Sequence, residues 1–289
     1  MRDAREGGYA VGYFESWDIP SLQGVLDAAE ETASPVIVGF NDEFLSEPHR
    51  ARPERLSIYA GVLRAAADVA RVPTVTIFNE CSRQEWLLEA VELGFDIVMP
   101  SLGRLDLDAY RRLTRSVTAQ AAHTDVAVEV ELGELPSGAS GEIDSSHAEV
   151  TDPRVAEEFM SDTGADLLAV SVGNVHVLPG GRRTLDLERL EEIHRYVSHP
   201  LVLHGGTGIE PESLRTAIEL GVCKVNYGTR LKLAWLEAAQ NAFASVPSNP
   251  HEFLGMGGSP DLFEAVRNAV REEVLGLLPD LGCKGRAAP

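Results

Sequence analysis

The chain has 289 residues, of which 44% are hydrophobic, and its formal net charge is −20 at pH 7. A surface this acidic repels nucleic-acid backbones and anionic lipid, so we expect neither nucleic acid nor a membrane as a partner. The three cysteines are far apart, and the charged N-terminal segment lacks the apolar stretch of a signal peptide. These features predict a reduced, cytoplasmic protein.

Short apolar runs alternate with amphipathic segments along the whole chain. The runs cover residues 10–14, 35–40, 74–78, 96–100, 126–132, 167–172, 201–206 and 224–229. Eight strands, each followed by a helix, are the number that closes a parallel (β/α)8 TIM barrel. The rival is an open doubly wound sheet, which usually carries a glycine-rich fingerprint after its first strand, and YAVGYFESWD has none. We therefore predict one α/β TIM-barrel domain over residues 1–289.

Two segments are longer than the repeating unit requires. Residues 133–152 are rich in glycine and serine and predict a mobile loop over an active site, with an ordinary surface loop as the alternative. Residues 259–289 predict a helical extension at the C-terminal end of the domain.

The predicted strands end in polar side chains, and in barrels of this type the carboxyl ends of the strands carry the site. His176 and His204 follow two of the strands, and Glu80 ends a third. Together they predict a metal site of two histidines and one carboxylate, although each histidine could instead be a structural residue. The sequence GGTG at 205–208 precedes a helical pattern and favours phosphate binding, because glycines let backbone N–H groups approach the anion. The alternative is that these glycines only tighten a turn.

Several segments together resemble the class II, metal-dependent ketose-bisphosphate aldolases, which act on fructose or tagatose bisphosphate. The most specific are VPTVTIFNECS (72–82), VAVEVELG (126–133), PLVLHGGTGI (200–209) and CKVNYGTRL (223–231), and the match is collinear over almost the entire chain. The resemblance implies a lyase that acts on a phosphorylated sugar through an enediolate, with a divalent metal, usually Zn²⁺, and a homodimer or higher homo-oligomer. It implies metal ligands at His176, His204 and Glu131. Its substrate- and phosphate-binding segments correspond to Gly173, Gly205, Gly206, Thr207, Asn226 and Thr229.

The chain departs from this family at its H-x-D-H motif, which falls on residues 77–80. Glu80 stands where the family has a metal-binding histidine, and Asn79 where it has an aspartate that protonates the aldehyde oxygen. Because a carboxylate is a good ligand for divalent ions, we expect Glu80 to retain the metal and to shift the preference towards Mn²⁺, Fe²⁺ or Mg²⁺.

Asn79 cannot act as an acid, since an amide does not release a proton at neutral pH. We expect a replacement acid, with Glu142 as the candidate and Glu15, Asp144 and His147 as alternatives. We interpret Cys81 as a packed residue. Two other functions stay open: a sugar-phosphate isomerase or epimerase, which would not need the lost acid, and a degenerate paralogue that binds a sugar phosphate without turnover.

Overall fold

The parallel strands form a closed barrel in the order β1 to β8. The computed structural model describes residues 1–46, 49–103, 105–133, 135–136, 149–175 and 181–287. The strands are numbered in the order in which they occur along the chain. They are β1 Val11–Glu15, β2 Val36–Asn41, β3 Thr74–Cys81, β4 Ile97–Pro100, β5 Ala127–Leu132, β6 Leu167–Val170, β7 Leu201–Leu203 and β8 Val222–Tyr227. The predicted TIM-barrel fold is confirmed.

Helices surround the barrel and follow the strands along the chain. Their bounds are α1 Arg2–Gly7, α2 Ile19–Glu31, α3 Asp42–Ser46, α4 Leu56–Val69, α5 Gln84–Leu93, α6 Leu107–Ala121, α7 Pro153–Thr163, α8 Leu187–Tyr196, α9 Pro211–Glu219, α10 Thr229–Phe243, α11 Pro250–Phe253 and α12 Leu262–Leu281. Because strands between the lumen and the helices are covered on both faces, every residue of β1, β2 and β8 is buried.

Aspartates begin the helices that follow several strands. Asp18, Asp106, Asp152 and Asp186 each accept a backbone N–H from the first turn of α2, α6, α7 and α8. Such a cap satisfies donors that a helix leaves open at its start. These caps fix where the loops at the barrel mouth end and the outer helices begin.

The helix α12 lies within the predicted extension 259–289 and packs against α2 and α10. Ala10 N donates to Leu281 O at 2.9 Å, and Arg267 Nε lies 2.6 Å from Asp27 Oδ2. The division of the chain into one domain stays a prediction. Within the described ranges, no helix combines the length and the apolar character that crossing a bilayer requires.

Candidate active site

A cleft lies at the carboxyl ends of the strands, where the fold places its chemistry. The residues that line it include Tyr13, Glu15, Asn41, Asn79, Glu80, His204, Gly205, Thr207, Asn226, Thr229 and Lys232. Most of them lie within two residues of the carboxyl end of a strand. The cleft therefore collects side chains from distant parts of the sequence.

The imidazole of His204 is the centre of this cleft and is only 1% exposed. Its Nδ1 atom lies 3.3 Å from Glu80 Oε1 and 3.5 Å from Glu131 Oε1. Burial opposes a positive charge on the ring, but the carboxylates of Glu131, Glu129 and Glu80 outweigh this effect and raise the pKa of His204 to about 10. Without a bound cation the ring therefore carries a positive charge that compensates its acidic neighbours, and a divalent ion at Nδ1 would replace the proton on that nitrogen.

The opposite side of the same ring faces a buried ion pair. His204 Nε2 lies 3.1 Å from Glu129 Oε1, and Lys224 Nζ lies 2.7 Å from Glu129 Oε2. Burial raises the pKa of Glu129, but Lys224 and His204 outweigh it and hold this pKa below its usual value. Since Nε2 is engaged by an ionised Glu129, the ring presents Nδ1 to Glu80 and Glu131.

Sequence reasoning assigned no role to Lys224 or to Glu129. Lys224 is a cation inside the otherwise uncharged strand VCKVNY. Glu129 lies two residues before Glu131, and residues two apart share one face of a strand. An isolated charge in a barrel strand is the signal that could have identified this pair.

Glu80 has a left-handed backbone, with φ of 55°. The pairing of β3 with β4 shifts its register between Phe78 and Cys81. Successive side chains of a regular strand point to opposite faces, yet Asn79 and Glu80 both line the cleft. The irregular strand end therefore directs both side chains to the mouth, where Asn41 Nδ2 donates to Glu80 Oε2.

Three buried polar atoms of the lining have no hydrogen-bond partner among the described residues. They are Tyr13 Oη, Asn79 Oδ1 and Asn226 Nδ2. Buried polar groups are rarely left without a partner in native proteins. A ligand that carries both hydroxyl donors and acceptors, as a sugar does, would satisfy all three.

The segment after β7 approaches another backbone closely. Gly205 has φ of 66°, and a Cβ at this position would lie 2.2 Å from Val175 O. A short 3-10 turn, Gly206–Gly208, follows, and Gly205 and Thr207 line the cleft. Gly206 is buried against β8, and Gly173, with φ of 92°, lies near Thr184 and Asp186. Gly205 and Thr207 therefore line the cleft, whereas Gly206 and Gly173 are not among its described lining residues.

Two further predicted residues lie near the end of β8 and at the start of the helix that follows it. Asn226 accepts a hydrogen bond of 2.8 Å from Lys224, and Thr229 begins α10. Both line the cleft.

Glu15, an alternative proton donor, accepts a 2.7 Å hydrogen bond from Lys232 Nζ. Lys232 thus engages one oxygen of the Glu15 carboxylate.

Some predicted residues lie outside the part of the chain that the structure describes. They are His176, Glu142, Asp144, His147 and most of the predicted loop 133–152.

Cys81 is fully buried, and burial raises the pKa of its thiol well above the usual range. A thiol that stays protonated is a weak nucleophile, which agrees with the interpretation of Cys81 as a packed residue.

The donor atoms around His204 suit a divalent cation in type and spacing. Bonds of about 2.1 Å place neighbouring ligand atoms about 3.0–3.5 Å apart, and the Glu80 and Glu131 oxygens lie 3.3 and 3.5 Å from Nδ1. Among the described residues, no group of three or more His, Cys, Asp or Glu side chains is arranged so as to hold a metal ion. Glu80, Glu131 and His204 as metal ligands therefore stay a prediction, together with His176, which lies outside the described residues.

The chain is similar to known proteins over almost its whole length. The sequence profile of the family described as "Fructose-bisphosphate aldolase class-II" matches residues 1–286. The uncharacterized protein YdjI of Escherichia coli (strain K12) is 32% identical over 286 residues, which cover 99% of this chain and 96% of the relative. The fructose-bisphosphate aldolase of Thermus caldophilus is 33% identical over an alignment of 314 residues, gaps included. The match covers 99% of this chain and 97% of the relative.

Solved structures give the same picture of the fold. The crystal structure of the YdjI aldolase from Escherichia coli K12 has a TM-score of 0.80 and 31% identity, and the match covers 99% of this chain and 96% of that chain. A putative fructose-1,6-biphosphate aldolase from Coccidioides immitis has a TM-score of 0.81 and 25% identity, with the same coverage of 99% and 96%.

Proposed function

Because the chain belongs to the class II fructose-bisphosphate aldolase family, we propose that it is a metal-dependent lyase that cleaves or forms a carbon–carbon bond in a phosphorylated ketose or an analogue. The observation that carries the proposal is the convergence of the Glu80 and Glu131 carboxylates on Nδ1 of His204. The substrate need not be fructose 1,6-bisphosphate, since the motif residues Asn79 and Glu80 differ from those of the family.

We assign Glu80, His204 and Glu131, together with His176, as the residues that would hold the cation. When bound, the cation would polarise the substrate carbonyl and stabilise the negative charge that develops beside it. Zn²⁺ is the metal that the family implies, and the carboxylate ligands also suit Mn²⁺, Fe²⁺ or Mg²⁺. Glu129 and Lys224 would act through His204, because they hold the orientation of its ring.

The substrate contacts are assigned to Gly173, Gly205, Gly206, Thr207, Asn226 and Thr229. Support comes from the cleft, which Gly205, Thr207, Asn226 and Thr229 line. Backbone N–H groups at a glycine turn and at the start of a helix bind a phosphate well. Tyr13 Oη and Asn226 Nδ2 would serve the hydroxyl or carbonyl oxygens of the sugar, because both atoms lack a partner among the described residues.

Proton transfer would differ from that of the family. Asn79 Oδ1 can accept a hydrogen bond from a substrate hydroxyl, but the amide cannot release a proton. We propose Glu142 as the acid, with Asp144 and His147 as the alternatives. Glu15 is a weaker candidate because Lys232 holds its carboxylate.

Isomerisation or epimerisation of a sugar phosphate is the second candidate. The observation that favours it is Asn79, since a reaction that conserves the carbon skeleton does not need an acid for an aldehyde oxygen. The two reactions differ in their products, because a lyase releases an aldehyde and an isomerase conserves the number of carbons.

The proposal is tested by metal content and product analysis. Protein purified without added metal or a nickel column should contain about one divalent ion per chain by mass spectrometry. Glu80→Gln and His204→Gln should each lower that content, whereas Glu157→Gln, an exposed change on α7, should not. Incubation with ketose phosphates should release an aldehyde that a hydrazine reagent traps. A wild-type protein without stoichiometric metal would refute the metal-dependent mechanism.

We also propose a cytoplasmic location and a homodimer or higher homo-oligomer. All three cysteines are buried and free, as expected of a reducing compartment. Leu254, Met256 and Phe263 are exposed apolar residues that a second copy could cover. Sedimentation of the purified protein tests the oligomeric state.

A further inference from the structure

A second cavity lies beside the cleft and has a volume of about 540 Å³. Cavities of about 300–1,000 Å³ with mostly apolar walls are typical small-molecule sites. This cavity, here called the aromatic cavity, is lined chiefly by Trp17, Phe40, Phe44, Tyr59, Trp235 and Leu236. It shares Asn41, Phe44 and Lys232 with the cleft, so a ligand in the cleft can extend into it.

Two aromatic pairs form the walls of the aromatic cavity. The ring centroids of Trp17 and Trp235 are 6.4 Å apart at an interplanar angle of 74°, and those of Phe40 and Tyr59 are 4.8 Å apart at 80°. Edge-to-face pairs of this kind are favourable and hold their rings in place. The cavity therefore offers a large, preformed apolar surface.

Both cations of the wall are already engaged with other groups. Lys232 Nζ donates to Glu15 and lies 3.9 Å from the ring centroid of Phe44. Arg50 pairs with Glu54 and also donates to the carbonyl of Phe44. A phosphate needs cations or N–H groups to replace its water, and both cations of this wall already have partners. The aromatic cavity is therefore poorly suited to a second phosphate group.

Two polar atoms at the same cavity have no partner among the described residues. They are Ser16 Oγ and Trp235 Nε1, and Ser16 is 1% exposed. The indole N–H is a donor only, and the hydroxyl can donate as well. An occupant with one hydrogen-bond acceptor would satisfy either of them, while its carbon atoms contact the rings.

We propose that the aromatic cavity is a specificity subsite for an uncharged aromatic or branched apolar group that carries a hydrogen-bond acceptor. This group is the end of the substrate remote from His204. The inference rests on the proposed function, because it identifies the aldehyde half of the cleaved bond as apolar and unphosphorylated. The phosphate of the other half stays with Gly205, Thr207 and Thr229.

Direct binding tests the subsite without turnover. Calorimetry on the full chain would compare benzyl alcohol, which is aromatic and uncharged, with glyceraldehyde 3-phosphate. We expect benzyl alcohol to bind, and Trp235→Phe to weaken it about three- to tenfold through loss of one hydrogen bond. Leu236→Ala should weaken it by a similar factor. Leu233→Ala, on the same helix and similarly exposed but not in this wall, should bind as the wild type does.

The outcomes separate this inference from the proposed function. Binding of benzyl alcohol that is weakened about three- to tenfold in the two cavity variants supports the subsite even if no lyase activity is found. Efficient cleavage to a triose phosphate, with no binding of benzyl alcohol, would overturn the subsite and leave the lyase intact. If a second copy fills the cavity, Leu236→Ala will lower the sedimenting mass and benzyl alcohol will not bind, which also overturns the inference.

Discussion

Lys224 Nζ lies 2.7 Å from Glu129 Oε2, and both side chains are fully buried. Lys224 also donates to Asn226 Oδ1 at 2.8 Å, and Glu129 continues to Nε2 of His204. The pair thus connects β8 with β5 and with the residue that follows β7. A buried ion pair of this kind contributes position more clearly than stability.

Lys224→Met should destabilise the protein by about 3–5 kcal/mol, because it leaves the carboxylate of Glu129 buried without its main partner. Urea unfolding would measure the change. The double variant Lys224→Met with Glu129→Leu should recover most of the stability while metal content stays low, since Nε2 of His204 then loses Glu129, which orients the ring. Full recovery of metal binding in the double variant would contradict the positioning role.

Glu80→Gly and Glu80→Ala should differ in stability by about 1 kcal/mol, with glycine the more stable. Both variants lose the carboxylate, so the comparison isolates the backbone, whose φ of 55° suits glycine better than alanine. Chemical denaturation of both proteins checks the sign. An alanine variant as stable as the glycine variant would mean that the backbone of Glu80 is not strained.

Asn79→Asp should raise the lyase rate, up to about 10²-fold, because it adds a proton donor at the motif position and so supplements the proposed acid, Glu142. Asn79 is 2% exposed and close in sequence to Glu80, and both conditions favour the protonated form of a new aspartate. Steady-state rates of aldehyde release would be compared with those of Asn79→Ala, for which no gain is expected. An unchanged rate in Asn79→Asp would indicate that another group already supplies the proton.

Gly205→Ala should destabilise the protein by about 1–3 kcal/mol and weaken phosphate binding. The new methyl group would clash with Val175 O. Alanine would also have to adopt φ of 66°, which is unfavourable for any residue with a Cβ. Gly164→Ala is the matched control, because Gly164 has φ of 69° and open space around it. Thermal unfolding should show the larger loss for Gly205→Ala, and equal losses would mean that the close approach does not matter.

The strand count and the order of the barrel could be predicted from the sequence, since each strand is a short apolar run between helical patterns. The run at 201–206 was predicted to be longer than the observed β7, Leu201–Leu203. The strand is shorter because Gly205 adopts a left-handed backbone that a ladder cannot contain. Apolar letters alone do not reveal this change of direction.

The candidate site was harder to predict than the fold. Period-two alternation predicts that Asn79 and Glu80 point to opposite faces, and only the irregular end of β3 brings both to the cleft. The role of Lys224 depends on Glu129, which lies 95 residues away in the chain. Contacts over such separations follow from barrel closure and not from local pattern.

The aromatic pair of Trp17 and Trp235 gives the protein a built-in optical reporter. These are two of its three tryptophans, and both line the aromatic cavity. The third, Trp86, packs under the guanidinium of Arg83 and against Phe78, away from this wall. Indole emission from the unlabelled enzyme should therefore follow occupancy of the cavity in real time, and a Trp86→Phe variant would remove the constant background.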